Sequence, residues 1–299
     1  MESFPAIQLL DVTLRDGGHR TNFHFSASEL QNILYPLDKS GVEYIEIGYR
    51  NGSLHPIDDL GPAGFCHKEY LILCQSLIQS ANIAVMLHPK NVDLTDIREL
   101  KKYGVDLVRI CVAKGCLSQA LPVLDMVKSL GLQVSVNIIH LSYYKPNELD
   151  EVVETVSGYQ PDMLYFADSN GSMFPSKIRE IYDTFSRHHA FTFGFHAHDN
   201  LGLAQANVLA AIEGGARLID ASLSGMGKGT GNLKTEFFIA CLQAGAVEKY
   251  NLQEALTAAN YVRQNLNIGH EAIEMDEFIR GISDLSTADL ARFKKEKHE

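Results

Sequence analysis

The sequence has no tryptophan, no apolar run of membrane-spanning length and no excess of positive charge. A membrane-spanning helix needs about 20 consecutive apolar residues, so the missing run argues against a membrane protein. Lys and Arg number 26 against 37 Asp and Glu, which gives a formal net charge of −11. Because an acidic chain repels phosphate groups and anionic lipids, the composition predicts partners that are neither nucleic acids nor membranes.

The sequence also lacks the paired cysteines of a disulfide framework or a zinc site. It has 5 cysteines, with no C-x-x-C pair among them. An odd, unpaired set is typical of reduced thiols. The first residues, MESFPAIQLLDVT, have neither the basic nor the apolar region of a secretory signal, so we expect a cytoplasmic protein. Cys111 and Cys116 flank the end of a predicted strand, and the pattern favours burial over metal binding there.

Short apolar segments rich in β-branched residues alternate with longer amphipathic segments along the chain. Gly41, Gly104 and Gly131 follow helix-like segments, at the positions where a left-handed residue usually ends a helix. The predicted strands are 8–14, 44–49, 83–88, 107–113, 133–139, 163–168, 192–198 and 218–224. The predicted helices are 26–40, 66–80, 93–103, 118–130, 147–158, 175–187, 200–214 and 233–245.

This alternation predicts an α/β fold, a (β/α)8 TIM barrel over residues 1–249. A doubly wound open sheet is the alternative, but it usually has about five to seven strands, and no G-x-G-x-x-G follows the first strand here. Residues 250–299 fall outside the repeated units and have helical patterns. We expect them to form a short C-terminal helical extension that packs on the barrel or across a subunit interface.

Polar residues gather at the carboxyl ends of the predicted strands, where the active sites of such barrels lie. His196 and His198 are two residues apart on one strand, so both point to the same face and can converge on one metal ion. Asp16, at the end of the first strand, is the natural third ligand. Asp11 is a rival that should lie deeper in the barrel. Two histidines and one carboxylate leave positions open that suit Mn²⁺ or Mg²⁺ and an oxygen-rich substrate.

Two further residues near Asp16 have the chemistry of a catalytic pair. Arg15 is always charged and can bind a carboxylate or enolate oxygen. It can equally form an ion pair with Glu46 or Asp16, and the two roles can coexist. His19 lies in a Gly-Gly turn just beyond the strand and is a candidate general base. From spacing alone, a surface loop histidine is an equal alternative.

A glycine-rich segment, GMGKGTGN, follows the last predicted strand at 225–232. Its backbone N–H groups could hold a phosphate or coenzyme A at the start of the next helix, as in many barrels. It could also be a mobile lid. Lys228 adds a positive charge, but the spacing is not that of a Walker motif.

Several segments in the same order resemble the divalent-metal TIM-barrel superfamily that contains HMG-CoA lyase, isopropylmalate and homocitrate synthases and 4-hydroxy-2-oxovalerate aldolase. The joint pattern is far more specific than any single piece. The segments are DVTLRDGGH (11–19), IEIGY (45–49), ADSNGSMFP (167–175), FHAHDNLGLAQANVLAAIEGGA (195–216), IDASLSGMGKGTGN (219–232) and LKTE (233–236).

The resemblance implies a role for single residues. His19 stands where the synthases have Gln and where the aldolase branch has its base, and the loop after the last strand lacks the Cys of the lyases. Asn232 matches a metal ligand of some members, and Ser169 matches a position near the substrate carboxylate of the aldolases. The implied metal ligands are Asp16, His196, His198 and Asn232; the implied catalytic residues are Arg15 and His19; the implied substrate-binding residues are Arg15, Glu46 and Ser169.

The resemblance therefore implies a class II pyruvate aldolase. Such an enzyme cleaves or forms a 4-hydroxy-2-oxo acid, giving pyruvate and an aldehyde through a metal-bound pyruvate enolate, with one Mn²⁺ or Mg²⁺. The alternatives are an acyl-CoA-dependent Claisen synthase of the citramalate or isopropylmalate type, and a non-catalytic barrel. The superfamily suggests a homodimer. The better-known aldolases dock an aldehyde dehydrogenase through a longer C-terminal region that also supplies a catalytic Tyr; Tyr250 or Tyr261 could replace it, and the dehydrogenase partner stays open.

Overall fold

The computed structural model describes residues 4–189, 191–270 and 274–297. Eight parallel strands form a closed barrel in sequence order, and β8 pairs with β1 to close it. The strands are β1 (Gln8–Asp11), β2 (Tyr44–Arg50), β3 (Asn82–Leu87), β4 (Leu107–Val112), β5 (Gln133–Ile138), β6 (Met163–Asp168), β7 (Thr192–Ala197) and β8 (Leu218–Ala221).

A helix follows each strand, and further helices follow the barrel. The barrel helices are α1 (Ala27–Lys39), α2 (Lys68–Leu77), α3 (Leu94–Lys102), α4 (Leu117–Ser129), α5 (Pro146–Tyr159), α6 (Pro175–Phe185), α7 (Ala204–Gly214) and α8 (Thr235–Ala244). The C-terminal helices are α9 (Leu252–Asn265), α10 (Met275–Ser283) and α11 (Thr287–Lys297). The predicted (β/α)8 TIM barrel is thus confirmed, and the open-sheet alternative is wrong.

The first and last strands are shorter than their apolar patterns predicted. β1 ends at Asp11 because the chain then turns, and the Asp16 N–H donates to the carbonyl of Val12 at 2.8 Å. β8 ends at Ala221, and Ser224 just beyond it adopts a left-handed conformation with φ 55°. The catalytic candidates of the first unit therefore lie in a tight loop at the barrel mouth and not on a strand.

The core has two parts, as expected for strands that face helices on one side and the barrel axis on the other. The large part fills the space between strands and helices. The small part fills the barrel axis and includes Leu10, Tyr44 and Tyr165. Above it, Arg109 is fully buried, with its guanidinium 4.3 Å from the Tyr165 ring. Because apolar side chains close the lower part of the barrel, polar side chains are left to converge at its carboxyl end.

The C-terminal helices pack on the barrel. α9 lies against α1 and α8. α10 lies at the mouth, where Asn200, after β7, donates to the Glu277 carbonyl at 3.0 Å. Asp284, after α10, accepts hydrogen bonds from loops that follow β5 and β6, through Ser142, Asn170 and Ser172. The first residues of the helical segment predicted around α10, 272–273, lie outside the described residues.

The cysteines and the helices test two further predictions from the sequence. The 5 cysteines are free thiols. Cys111 is buried as predicted, whereas Cys116 is only half-buried because it lies at the exposed start of α4. Among the helices of the described residues, none combines the length and the apolar character that crossing a bilayer requires.

Candidate metal and catalytic site

Three predicted metal ligands come together at the mouth. One ligand atom from each of Asp16, His196 and His198 lies within 4.8 Å of the other two, and all three residues are buried. The Nε2 atoms of the two histidines are 3.3 Å apart, and His198 Nε2 lies 4.0 Å from Asp16 Oδ2. The two-residue spacing at the end of β7 puts both imidazoles on one side, as the pattern predicted.

The donor atoms of this cluster fit a divalent cation. His196 Nδ1 lies 3.0 Å from Asp220 Oδ2, and when Nδ1–H donates to this carboxylate, the lone pair of Nε2 faces the cluster. Burial first, with repulsion from His196 and nearby cations, lowers the pKa of His198 to about 3, so the His198 ring is available as a neutral ligand. Without a cation, one Nε2 can donate a hydrogen bond to the other at 3.3 Å, and a cation bound between the two nitrogens would take the place of that proton.

Asn232 extends the cluster. It forms an isolated β-bridge with His198, and its Nδ2 donates to Asp16 Oδ2 at 2.9 Å. Its Oδ1 is buried and has no hydrogen-bond partner among the described residues. A fourth, oxygen ligand is thus available beside the other three. Asp11, the rival ligand, is instead held by Thr13 and Thr235 outside the cluster.

Arg15 contacts both acidic residues that the sequence suggested. Its Nε donates to Glu46 Oε2 at 2.6 Å, and its Nη1 donates to Asp16 Oδ1, also at 2.6 Å. The guanidinium is therefore held beside the predicted metal ligand Asp16 by two charged hydrogen bonds in a buried site, where such bonds are strong. Glu46 binds Arg15 in this structure, and its role toward a substrate stays a prediction.

Sequence reasoning missed two members of this charged network. Arg109, on β4, donates to Glu46 Oε2 at 3.0 Å and to Asp220 Oδ2 at 2.8 Å. Asp220, on β8, thereby joins Arg109 to His196. The sequence did contain a signal for both residues, because each is the one charged residue in an otherwise apolar strand. The strands are LVRICV and LIDA, and a buried charge in such a strand needs a charged partner.

His19 lies at the mouth and contacts two aromatic side chains. Its ring contacts Phe23 edge-on at 4.9 Å and Tyr49 at 6.1 Å, and its buried Nε2 has no hydrogen-bond partner among the described residues. Burial, followed by the charge of Lys228, lowers the pKa of His19 to about 3. The ring is therefore neutral at physiological pH, which is the form that accepts a proton.

The remaining candidates lie in different places. Ser169, half-buried in the turn after β6, accepts a hydrogen bond from the backbone N–H of His140 at 2.9 Å. Tyr250 is wrong as a catalytic stand-in, because its hydroxyl donates toward Ile7 and Glu43 at the amino-terminal end of the barrel. Tyr261, on α9, packs partly buried against the large core.

The glycine-rich loop lies directly on the cluster. A Cβ on Gly227 would be 2.8 Å from Asp16 Oδ2 and 2.5 Å from Asn232 Nδ2, so a side chain there would collide with both residues. The next backbone N–H, of Lys228, is 3.4 Å from Asp16 Oδ2. The loop thus covers the cluster through its backbone, and neither phosphate binding nor a lid movement is needed to explain its glycines.

Comparison with known proteins places this chain in a family. The HMGL-like family model matches residues 6–262, which spans the whole barrel and most of α9. The chain belongs to the HMGL-like family. It is 31% identical over 265 residues to a 4-hydroxy-2-oxovalerate aldolase of Geobacillus genomosp. 3, covering 86% of this chain and 77% of that protein. It is 29% identical over 235 residues to an oxaloacetate decarboxylase of Mycobacterium tuberculosis, covering 79% and 69%.

Solved structures of other proteins share the fold of this chain. The N-terminal domain of a putative aldolase from Bacteroides vulgatus superimposes with a TM-score of 0.83 at 24% identity, covering 96% of each chain. An HMG-CoA lyase from Bacillus subtilis superimposes with a TM-score of 0.75 at 16% identity, covering 98% of this chain and 100% of that one. With its membership of the HMGL-like family and its aldolase relatives, the protein is a carbon–carbon lyase, as predicted.

Proposed function

We propose that this HMGL-like enzyme cleaves a 4-hydroxy-2-oxo acid to pyruvate and an aldehyde, and catalyses the reverse addition. The observation that carries the proposal is the Arg15 guanidinium bound to Asp16, with the unpartnered Nε2 of His19 at the same mouth. The 4-hydroxy-2-oxovalerate aldolases among its relatives support it, at 31% identity for three of them.

The site would hold one Mn²⁺ or Mg²⁺ through Asp16, His196 and His198, with Asn232 as a further ligand. When bound, the cation polarises the 2-oxo acid as a Lewis acid. Two other features of the chain would position these ligands. Asp220 orients the His196 ring, and the loop at Gly227 encloses the Asp16 side of the site.

Arg15 would stabilise the negative charge that forms as the C3–C4 bond breaks. The electrons of that bond collect on the enolate of pyruvate, and a fixed guanidinium in a buried site stabilises this charge without having to reorganise. Glu46 and Asp16 hold the guanidinium in place through Nε and Nη1. Ser169, at the end of β6, is the proposed further contact for the substrate carboxylate.

His19 would accept the proton of the 4-hydroxyl group. A neutral ring with a free nitrogen is suited to this step, and Phe23 and Tyr49 shield it from bulk water. In the direction of synthesis, the same ring returns the proton to the new hydroxyl.

A second candidate reaction is decarboxylation of a 2-oxo acid in which C4 is itself a carboxylate bonded to C3. Loss of CO₂ breaks the C3–C4 bond, and one relative is named for this type of reaction, an oxaloacetate decarboxylase. The observation that favours it is again Arg15 beside Asp16, since loss of CO₂ leaves the same enolate. This reaction needs no base for a hydroxyl proton, so it makes no use of His19. The two reactions are therefore separable by their dependence on that residue.

A coupled assay of pyruvate release tests the proposal. We expect pyruvate from at least one of a panel of 4-hydroxy-2-oxo acids with Mn²⁺ present, loss of activity after chelation, and recovery when Mn²⁺ is returned. Oxaloacetate in the same panel reports decarboxylation, and thiol release from acetyl-CoA with a 2-oxo acid reports the Claisen alternative. Absence of pyruvate from every hydroxy acid, or full activity in protein verified to be metal-free, would contradict the aldolase proposal.

We also propose a cytoplasmic homodimer that acts on free small molecules, with an aldehyde dehydrogenase partner left open. The acidic composition, with a net charge of −11, disfavours nucleic acids and anionic membranes as partners. Light scattering on the purified protein gives the oligomeric state directly.

A further inference from the structure

We propose that Tyr49 is the acid that donates a proton to C3 of the pyruvate enolate, and so completes the reaction that His19 and Arg15 begin. This inference rests on the proposed function and adds a catalytic residue to it. Aldol cleavage and decarboxylation leave the same enolate, so both candidate reactions need this proton.

The Tyr49 ring lies beside both groups that face the reacting carbons. Tyr49 is near the end of β2, and its ring centre lies 5.9 Å from the guanidinium carbon of Arg15 and 6.1 Å from the ring centre of His19. In the proposed function, Arg15 stabilises the charge on the enolate oxygen at C2, and His19 takes the proton of the C4 hydroxyl. Because C3 is bonded to both C2 and C4, a side chain that contacts both residues is the one placed for C3.

Packing holds the Tyr49 ring in this position. The ring stacks nearly parallel on His88, with ring centres 5.5 Å apart, and contacts Phe23 edge-on at 5.7 Å. The side chain as a whole is buried. With aromatic neighbours and Arg15 around the ring, the hydroxyl is the end of the side chain that is left for a ligand.

The Tyr49 hydroxyl has no partner in the protein. Within the ranges that the structure describes, it makes no hydrogen bond, and its oxygen is not among the polar atoms sealed from solvent, so it opens to the mouth. Other buried tyrosines differ, because the Tyr70 and Tyr182 hydroxyls donate to backbone carbonyls and the Tyr165 hydroxyl is sealed inside the barrel. Since the hydroxyl of a buried tyrosine usually has a partner, an open and unpaired one indicates contact with the substrate.

The surroundings of Tyr49 suit a proton donor. Burial raises the pKa of Tyr49, so the phenol keeps its proton at physiological pH. The positive charge of Arg15 acts in the opposite direction, and it would stabilise the phenolate that forms as the proton leaves. The same guanidinium would therefore stabilise negative charge first on the enolate and then on the acid that protonates it.

The proposed step balances without a further reactant. The O–H bond of Tyr49 breaks as a C–H bond forms at C3, and the enolate becomes the methyl ketone of pyruvate. The phenolate then takes a proton from water at the mouth, and protonated His19 gives to water the proton that it took from the 4-hydroxyl. Exchange of the pyruvate methyl protons with solvent is this step run in both directions, and it involves no C3–C4 cleavage.

Tyr49→Phe tests the inference, because it removes the hydroxyl and keeps the ring. NMR in deuterium oxide measures exchange at the pyruvate methyl group. Transfer of label from free aldehyde into the 4-hydroxy-2-oxo acid measures reversible C3–C4 cleavage, which does not need the C3 proton. Tyr70→Phe is the matched control, since Tyr70 is a buried tyrosine on α2 whose hydroxyl donates to the Ile47 carbonyl at 2.7 Å. Thermal unfolding and Mn²⁺ titration check the fold and the metal site of each variant.

We expect Tyr49→Phe to lower methyl-proton exchange and pyruvate release by about 10²- to 10⁴-fold, the usual contribution of a positioned proton donor. Label transfer from the aldehyde should persist, which is the opposite of the pattern expected for His19→Ala. Thermal stability and Mn²⁺ affinity should match those of the wild type, because the hydroxyl has no hydrogen bond to lose. Tyr70→Phe should keep both exchange reactions.

Three results would overturn the inference: methyl-proton exchange at the wild-type rate in Tyr49→Phe, an equal loss of both exchange reactions in that variant, or no methyl-proton exchange in the wild type. If the wild type cleaves no hydroxy acid but methyl-proton exchange still depends on the Tyr49 hydroxyl, the aldolase proposal fails and the role of Tyr49 stands.

Discussion

Replacing His19 with alanine is expected to lower the rate of C3–C4 cleavage by about 10²- to 10⁴-fold, the usual contribution of a general base. The reason is that the 4-hydroxyl proton must leave as the bond breaks, and His19 offers a neutral ring with a free, buried Nε2 at the mouth. Exchange of the methyl protons of pyruvate with solvent should persist, because Arg15 and the metal ligands that support the enolate are unchanged.

Two assays on the same protein separate these steps. Coupled pyruvate release measures cleavage, and NMR in deuterium oxide measures exchange at the pyruvate methyl group. His24→Ala is the matched control, since His24 lies in the same loop region but is exposed and bonds to Asp59. Cleavage at the wild-type rate in the His19 variant would place the base elsewhere, and loss of exchange as well would mean that the substitution damages the whole site.

Replacing Arg15 with alanine is expected to lower kcat by about 10²- to 10³-fold, as the loss of one stabiliser of developing charge does. Both cleavage and proton exchange should fall, because both pass through the pyruvate enolate. The variant also leaves Glu46 and Asp16 without a guanidinium partner in a buried site, so some loss of stability accompanies the kinetic effect.

Arg50→Ala separates the two effects. Arg50, the last residue of β2, is also a buried arginine, but it pairs with Asp96 and Glu99, outside the cluster. Thermal unfolding of both variants measures the stability cost of a lost buried ion pair, and steady-state kinetics measure the catalytic cost. A kcat near that of the wild type in Arg15→Ala, or an equal kcat loss in Arg50→Ala, would remove Arg15 from the mechanism.

The barrel and the approach of His196 and His198 to one another were predictable because both depend on local patterns. Pro146 and Pro175 are the first residues of α5 and α6, as their positions in the sequence predicted, because the first helical position tolerates a missing N–H. The strand period of two puts His196 and His198 on one face whatever surrounds them. Asp16, in the loop after β1, was then the natural third residue of the cluster. When the barrel closes, β1 pairs with β8, and this brings the loop close to the end of β7.

The charged network was less predictable because it depends on register around the barrel. Arg109 joins Glu46 to Asp220 only because β2, β4 and β8 present these side chains at the same height inside a closed cylinder. Each residue alone is one charge within an apolar strand. Their mutual pairing is a property of the closed barrel and not of any one segment.

The docking of the C-terminal segment was also beyond the sequence. Tyr250 and Tyr261 were equal candidates by pattern, yet the chain enters α9 at the amino-terminal end of the barrel, where Tyr250 contacts Ile7. α10 then reaches the mouth and brings Arg280 to the glycine-rich loop. Amphipathic spacing identifies such helices, but it does not say which end of the barrel they cover.

A Mn²⁺ titration of metal-free protein tests the central claim most directly. Calorimetry or the electron paramagnetic resonance signal of free Mn²⁺ gives the number of sites and their affinity for the wild type, His198→Ala and the exposed control His24→Ala. We expect one saturable Mn²⁺ site per chain in the wild type and in His24→Ala, and its loss in His198→Ala. A wild type without a saturable site, or a His198→Ala variant that binds Mn²⁺ as the wild type does, would contradict the account.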